Sequence, residues 1–321
     1  MGRLMRTILA IDGGNSKTDI VLVGEDGAVL GTWRGGPFTP QSSGVVPAVD
    51  VIENALGGPG PRADHVFAYV AGADLPIEEV RLRDEMARRR FAPQIVVGND
   101  TFALLRAGAS GPWGAAVVCG AGINAVAVAP DGRVARFPAL GRISGDWGGG
   151  GGLAEEALWH AARAEDGRGP ASELAATVCR VFGAATVEEV VIALHFGELP
   201  YERLHDLVAP LLETARGGDP VARSVVVRLA DEVAVLGVVA MRRIGLLDVP
   251  CEVVLGGGVL TARDPLLTTL VEERYAAQAP HAKLVVADVP PIVGAAFKGL
   301  DALGAAPEAY DRVRTAFETA F

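Results

Sequence analysis

Short apolar runs, each closed by a glycine turn, occur twice along the chain in the same arrangement. The first copy runs Ile8-Leu9-Ala10-Ile11, turns through Asp12-Gly13-Gly14-Asn15-Ser16-Lys17-Thr18, resumes as Ile20-Val21-Leu22-Val23 and turns again at Asp26-Gly27. The second runs Val117-Val118-Cys119, Gly120-Ala121-Gly122-Ile123-Asn124, Val126-Ala127-Val128, and then Asp131-Gly132 before Val134. Apolar stretches of this length, bounded by Gly, Asn and Asp, read as strands joined by tight turns. A meander repeated in each half of a chain predicts two related halves.

Between the meanders, helical spacing from Val45 to Leu56 precedes a strand at Val66–Val70 that ends in Ala71-Gly72-Ala73-Asp74. A helix over Ile77–Phe91, a strand at Ile95–Val97 closed by Gly98-Asn99-Asp100, and a helix from Thr101 follow, an alternation that implies parallel strands. Gly108 to Gly114 reads as the linker between halves. Beyond the second meander, Ser144-Gly145-Asp146-Trp147 leads into five glycines, Gly148–Gly152, and a helix from Leu153 to Arg163. Helices are expected over 171–182, 186–196, 201–216 and, from Pro220 at a first helical position, to about Ile244. The strand Cys251–Leu255 ends in Gly256-Gly257-Gly258, and Asp264-Pro265 opens another helix. A short strand at Leu284–Val286 and two closing helices complete the pattern.

Composition narrows the classes. The 321 residues are 50% hydrophobic and 21% charged, enough to bury a core in each half and too apolar for disorder. A net charge of −10 disfavours nucleic acid or an anionic membrane as the main partner and favours small molecules. Arg3 and Arg6 precede an apolar run that Asp12 cuts too early for a signal peptide, and no apolar stretch is long enough to span a bilayer, so a cytoplasmic protein is expected. The cysteines, 119, 179 and 251, are three and widely spaced, and five scattered histidines lack zinc-ligand spacing.

The first glycine turn is not a Walker A loop: Ser16 stands where glycine should precede the lysine, and a strand follows where a helix should. It is a hairpin whose backbone amides can face a phosphate, with Asp12 placed to hold magnesium through water. Gly120–Ala125 matches G-x-G-x-x-G/A, yet the alternation after it excludes the helix a dinucleotide fold requires. Asp100, past the carboxyl end of a parallel strand, reads either as a helix N-cap or as a general base. Asp146 reads as a turn residue or a sugar ligand. The five glycines are expected to serve as a closing hinge, Trp147 as a packing anchor or a surface for a sugar ring, and the charged stretch Glu78–Arg90 as a solvated face.

Taken together, these segments resemble the sugar kinase/hsp70/actin superfamily of two-domain ATPases and, within it, the BadF/BadG/BcrA/BcrD ATPase family, especially its N-acetylglucosamine kinases. The resemblance rests on Ala10–Asp19, Gly98–Asp100, Gly120–Asn124, Gly145-Asp146 and Leu255–Gly258. It implies an α/β, actin-like (ribonuclease H-like) fold of two domains, 1–112 and 113–321, with the last helix returning to the first domain and nucleotide in the cleft between them. Gly13, Gly14, Asn15, Ser16, Lys17 and Thr18, then Gly120, Ala121, Gly122 and Asn124, and Gly256, Gly257 and Gly258 would hold ATP. Asp12 and Asp100 would face Mg2+. Thr39, Gln41, Gly72, Asp100, Gly145 and Asp146 would contact the acceptor, with Asp100 as the base for the 6-hydroxyl of a hexosamine. A homodimer is also implied.

The chain departs from that pattern where the sugar binds. Pro37-Phe38-Thr39-Pro40-Gln41 replaces an expected Ser-Asn-His-like loop, Ala139-Leu140 stands for a Gly-Trp pair, Trp147 for an acidic residue, and Ala121 for a frequent threonine. N-acetylglucosamine leads as the acceptor, with glucosamine, N-acetylmuramic acid or a non-catalytic sugar sensor as alternatives. A cluster-bearing activator lacks grouped cysteines, and a sugar-responsive repressor would need a helix-turn-helix before the first strand.

Overall fold

The architecture, seen in a computed structural model that describes residues 5–58 and 63–318, consists of two sheets of the same design. Arg3 lies outside the described residues. In the first half, β1 (Thr7–Gly13), β2 (Thr18–Gly24) and β3 (Val29–Gly35) form an antiparallel meander in which Asp12 stands opposite Asp19. A single turn, α1 (Pro40–Ser43), and α2 (Val45–Ala55) lead to β4 (His65–Val70), α3 (Pro76–Arg88), β5 (Gln94–Asn99) and α4 (Asp100–Gly108). Strands β1, β4 and β5 are parallel, giving the order β3-β2-β1-β4-β5.

The second half repeats this plan. Its meander is β6 (Gly114–Cys119), β7 (Ile123–Val128) and β8 (Val134–Arg136). Helices α5 (Gly149–Glu165), α6 (Leu174–Phe182), α7 (Val187–His195), α8 (Val208–Arg216) and α9 (Pro220–Arg243) follow, then β9 (Cys251–Gly256), α10 (Gly258–Thr261), α11 (Pro265–Gln278) and β10 (Ala282–Val286). The strand order is β10-β9-β6-β7-β8, with β9 parallel to both β6 and β10. The closing helices α12 (Pro291–Leu303) and α13 (Pro307–Glu318) pack on the first sheet.

Strand alternation assigns each sheet face its cover. Leu9, Ile11 and Ile20 share a core with Val49 and Ile52 of α2 and Leu82 and Met86 of α3. Ile8, Ala10, Val21 and Val23 point the other way, against Val293, Ala296, Phe297 and Leu300 of α12. Most of the second half's helices cover one face of its sheet, while Ala116, Val126 and Val254 on the opposite face meet Leu104 and Leu105 of α4. Thus α4 lies between the second sheet and α12.

Two glycines set how closely α4 is held. A Cβ on Gly294 would collide with the Ala103 carbonyl oxygen, and one on Gly256 with the Leu104 side chain. Arg106 of α4 adds a forked bond to Asp301 of α12, at 2.8 and 3.0 Å, while its guanidinium lies over the Phe297 and Tyr310 rings. A planar fork matched to a carboxylate and stacked on aromatics suits arginine rather than lysine.

Three local expectations change. The helix expected over 201–216 is a 3-10 turn, Tyr201–Leu207, followed by α8, because Pro210 offers no amide to continue the preceding turn as α-helix. The stretch 78–90 is not merely a solvated face: Leu82, Glu85 and Met86 are buried, and Arg89 bonds Glu85 at 2.7 Å, Asp50 at 2.6 Å and Glu53 at 2.7 Å, tying α3 to α2. The glycine run is the first turn of α5. Among the described residues, no helix is long and apolar enough to cross a membrane.

Gly294→Ala is expected to destabilise the protein by about 2–3 kcal/mol, since the neighbouring atoms are backbone and cannot rotate away. Thermal unfolding of the purified variant checks this; a melting temperature equal to that of the parent would count against the close seating of α4.

Candidate active site

Strands β1, β4 and β5 run parallel and in register at their carboxyl ends, where Gly13 pairs with Val70 and Val70 with Asn99. Ligands of open α/β sheets bind at that edge. Each strand delivers a carboxylate there: Asp12 at the end of β1, Asp74 just after β4 and Asp100 just after β5. All three line a cleft of about 1030 Å3 between the two halves.

Burial pushes Asp12 up to about 8, with the charges of Asp100 and Asp19 adding to the rise and Lys17 opposing it. Asp74 rises to about 7, first by burial and then through Asp100 and Glu78, against the pull of Arg136 and the Asn99 amide. Asp100 rises to about 6 by burial, held back by the backbone amides of Thr101 and Asp100 itself. Lys17 does not neutralise the group, because its ammonium lies 2.6 Å from Asp19, which also binds Arg34 at 2.6 Å.

The N-cap of α4 is Asn99, not Asp100. Its side-chain oxygen accepts from the Thr101 amide at 3.1 Å and the Thr101 hydroxyl at 2.5 Å. Asp100 is thereby the first helical residue. Asn99 donates to Asp74 Oδ1 at 2.8 Å and accepts from Asn124 Nδ2 at 3.3 Å, so one buried amide links both halves at the cleft floor.

Opposite these carboxylates stands the β6–β7 turn, held by backbone from two sides. Gly150 N–H donates to Gly120 O at 2.7 Å and Gly151 N–H to Ala121 O at 3.1 Å. These contacts start α5 at Gly149, four residues earlier than expected from the apolar pattern. Gly149 and Gly257 have φ of +75° and +82°; a Cβ on Gly149 would strike Gly122 backbone, and one on Gly257 would strike Cys119 and Gly120 backbone. The conformational cost of glycine is met here by close approach and left-handed backbone that other residues resist.

Of the residues expected at the site, Asp12, Gly14, Asn15, Ser16, Lys17, Gln41, Gly72, Asp100, Gly120, Ala121, Gly122, Asn124, Asp146, Gly257 and Gly258 line this one cleft. Gly13, Thr18 and Gly256 stand behind its wall, and Thr39 and the exposed Gly145 are not among its lining residues. Gly13 packs on Phe38 and Val70, Gly256 on Leu104, and the buried Thr18 hydroxyl donates to Gly36 O at 2.8 Å. Asp146 accepts from Ser144 Oγ at 2.6 Å and Gly141 N at 3.0 Å, which fixes the turn at the cleft mouth. Trp147 is buried, bonds Glu156 at 3.2 Å and carries the Arg228 guanidinium 4.1 Å from its ring centre.

Asp74, Glu78, Arg142 and Glu155 also line the cleft, and the motifs did not single them out. Asp74 had a legible signal, since it ends the segment after β4 at the sheet edge that yields Asp100. Among the described residues, no group of three or more His, Cys, Asp or Glu side chains is arranged to hold a metal ion. Hard carboxylate oxygens with too few cations nevertheless suit Mg2+ that keeps waters or phosphate oxygens as its other ligands.

The profile of the BadF/BadG/BcrA/BcrD ATPase family matches residues 9–299. The chain belongs to this family. It is similar to an N-acetylmuramic acid/N-acetylglucosamine kinase of Clostridium acetobutylicum, 25% identical over 235 residues, 71% of this chain and 77% of that one. Among solved structures, it is similar to a candidate N-acetylglucosamine kinase from Chromobacterium violaceum, with a TM-score of 0.71 at 21% identity, covering 91% of this chain and 98% of the other. It is also similar to a ROK family glucokinase from Streptomyces griseus, solved with glucose and AMPPNP, with a TM-score of 0.57 at 20% identity over 92% and 98% of the two chains. The repeated meanders predicted the two related halves of this BadF-type ATPase, and its actin-like fold is the one the resemblance implied.

The raised carboxylates have a thermodynamic consequence. Folded Asp12 keeps its proton to about pH 8, whereas an unfolded aspartate releases it near 3.8, so this group's contribution to stability is full below 3.8 and is lost as pH rises through 8. Asp12→Asn is expected to raise the melting temperature of the ligand-free protein at pH 8, by roughly 2–4 °C for each kcal/mol relieved, and the gain should shrink toward pH 4. Differential scanning calorimetry across that range checks it; a variant no more stable than the parent at pH 8 would contradict the description of Asp12 as a carboxyl group whose ionisation the folded cleft disfavours.

Proposed function

We propose that the protein is an ATP-dependent kinase that phosphorylates an amino sugar, with N-acetylglucosamine and its 6-hydroxyl as the first choice. The observation that carries this reading is the position of Asp100. It is freed from capping by Asn99, held at the first turn of α4 in the cleft, opposite the β6–β7 turn, and raised to about 6, near the pH at which a general base works.

In the proposed reaction Asp100 accepts the proton of the sugar hydroxyl as its oxygen attacks the γ-phosphorus in line. The bond from that phosphorus to the β,γ-bridging oxygen breaks, and ADP leaves. Phosphoryl transfer asks the protein mainly for positioning and for stabilisation of charge. The β1–β2 turn with Lys17 and the β6–β7 turn present backbone amides to the phosphates, and Gly257 and Gly258 leave room for the nucleoside. Magnesium bound with the nucleotide would supply charge neutralisation at the phosphates, with Asp12 as its carboxylate. Asp146 fixes the Gly141–Ser144 turn and so shapes the acceptor side. Family membership and the kinases named above support this reading.

A bulkier acceptor is the second reading. Leu140 and Ile143 line the mouth of the cleft and are 40% and 88% exposed, an apolar surface suited to the methyl group of a substituent such as the lactyl ether of N-acetylmuramic acid, with Arg142 on the same lining for its carboxylate.

ADP release with Mg-ATP across N-acetylglucosamine, glucosamine, N-acetylmuramic acid, N-acetylmannosamine and glucose should show strong stimulation by one amino sugar. Asp100→Asn is expected to lower kcat for that sugar by roughly 10^2- to 10^4-fold while leaving ATP binding largely intact. Binding of ATP without stimulation by any of the five would favour a sensor; near-normal turnover by the variant would remove Asp100 from its role.

A further inference from the structure

Asp74 lines the cleft and has no part in the reaction proposed above. Its backbone amide donates to Glu78 Oε2 at 3.0 Å, its carbonyl accepts from Arg136 Nη2 at 2.7 Å, and its Oδ1 accepts from Asn99 Nδ2 at 2.8 Å. Amide, carbonyl and side chain are therefore each fixed by a different residue. Arg136 belongs to β8 in the second half, and its other nitrogen, Nη1, bonds Glu79 Oε1 of α3 at 2.6 Å. The Arg136 carbonyl in turn accepts from Arg243 Nη1 at 3.3 Å. One forked guanidinium thus crosses between the halves and holds the Asp74 segment from the far side.

A loop carboxylate held at three points serves poorly as a mere surface charge, because fixing it costs conformational entropy and its own solvation. Asn99 engages only Oδ1. Asp74 shares the cleft lining with Gln41, Gly72 and Asp100, and the Asp100 charge is felt at its carboxyl group. An acceptor whose reacting hydroxyl lies at Asp100 would bring a neighbouring hydroxyl or amide N–H to this carboxylate, and a fixed acceptor oxygen discriminates strongly against ligands that lack the matching donor.

We infer that Asp74 is a specificity-determining residue that accepts a hydrogen bond from a polyhydroxylated acceptor, and that Arg136 is a positioning residue that holds it there from the opposite half. This rests on the kinase reading above for its reaction and on the cleft geometry alone for its binding. The clasp ties acceptor recognition to the approach of the two halves, since Arg136 can grip Glu79 and the Asp74 carbonyl only when β8 lies against α3.

The test measures sugar binding by titration calorimetry without nucleotide, beside steady-state kinetics, for the full-length protein and for Asp74→Asn, Arg136→Leu and Arg136→Lys. The probe is whichever of the five sugars above binds the parent protein. Asp74→Asn is expected to weaken sugar binding about 10- to 100-fold, the range for losing a hydrogen bond to a charged group, with the KM for ATP within about twofold of the parent. Arg136→Leu should weaken sugar binding with a smaller effect on kcat, and Arg136→Lys should restore part of it, because an ammonium can reach one of the two acceptors but not fork between them. Unchanged sugar affinity in Asp74→Asn overturns the assignment. Equal losses for sugar and ATP in Arg136→Leu, with no rescue by lysine, reduce Arg136 to a structural tie and overturn its positioning role. A parent that binds sugar without turnover defeats the kinase reading while the affinity of Asp74→Asn still decides this one; a parent that binds none of the sugars overturns both.

Discussion

The seating of α4 is the constraint on which the rest of the molecule depends. The helix is squeezed between α12 and the second sheet, at distances that Gly294 and Gly256 permit and a methyl group would not. Arg106 and Asp301 then fix its rotation. Because α4 begins at Asp100, the same contacts that join the two halves also fix the position of the first carboxylate of the cleft. Its first turn is capped by Asn99, whose remaining hydrogen bonds reach Asp74 in one half and Asn124 in the other. Packing at the joint and chemistry at the site are therefore one arrangement, and a shift of the helix would disturb both.

The second consequence is electrostatic. Parallel strands direct their carboxyl ends the same way, so Asp12, Asp74 and Asp100 converge on one edge of one sheet. The nearest lysine is committed to Asp19, and Arg136, the cation that reaches Asp74, binds its carbonyl rather than its carboxylate. Little positive charge is left for a region partly withdrawn from water, which is why all three acids hold their protons longer than in solution. Such a site is costly to keep empty and suited to a ligand that carries its own cation.

How much of this was legible follows from how local each signal is. Both meanders, the parallel β4 and β5, and the two glycine turns were readable because strand alternation and turn chemistry are written in neighbouring residues. The start of α5 was not, since no apolar pattern marks Gly149–Gly152; carbonyls of the β6–β7 turn, thirty residues earlier in the chain, supply the partners that make those glycines helical. Asn99 as cap and Gly256 as packing residue were likewise hidden. The segment Asn99-Asp100-Thr101 offers two good caps, and only the folded backbone selects one. Glu79 and Arg136 are 57 positions apart, and nothing in either neighbourhood announces that they meet. Asp74 was the reachable omission, visible from its place after a parallel strand.

The return of α12 and α13 has a meaning for how the molecule is made. The face of the first sheet that carries Ile8, Ala10, Val21 and Val23 is covered for the most part by helices that begin at Pro291, with Ala103 of α4 at its side. In topological terms the second half is an insertion within the first. A chain emerging from the ribosome can close the second sheet between its own helices and α4, whereas the first sheet keeps most of one apolar face uncovered through nearly the whole of synthesis. The half that enters the world first is the last to be finished, and a chain released early would carry an open hydrophobic surface for chaperones and proteases to find.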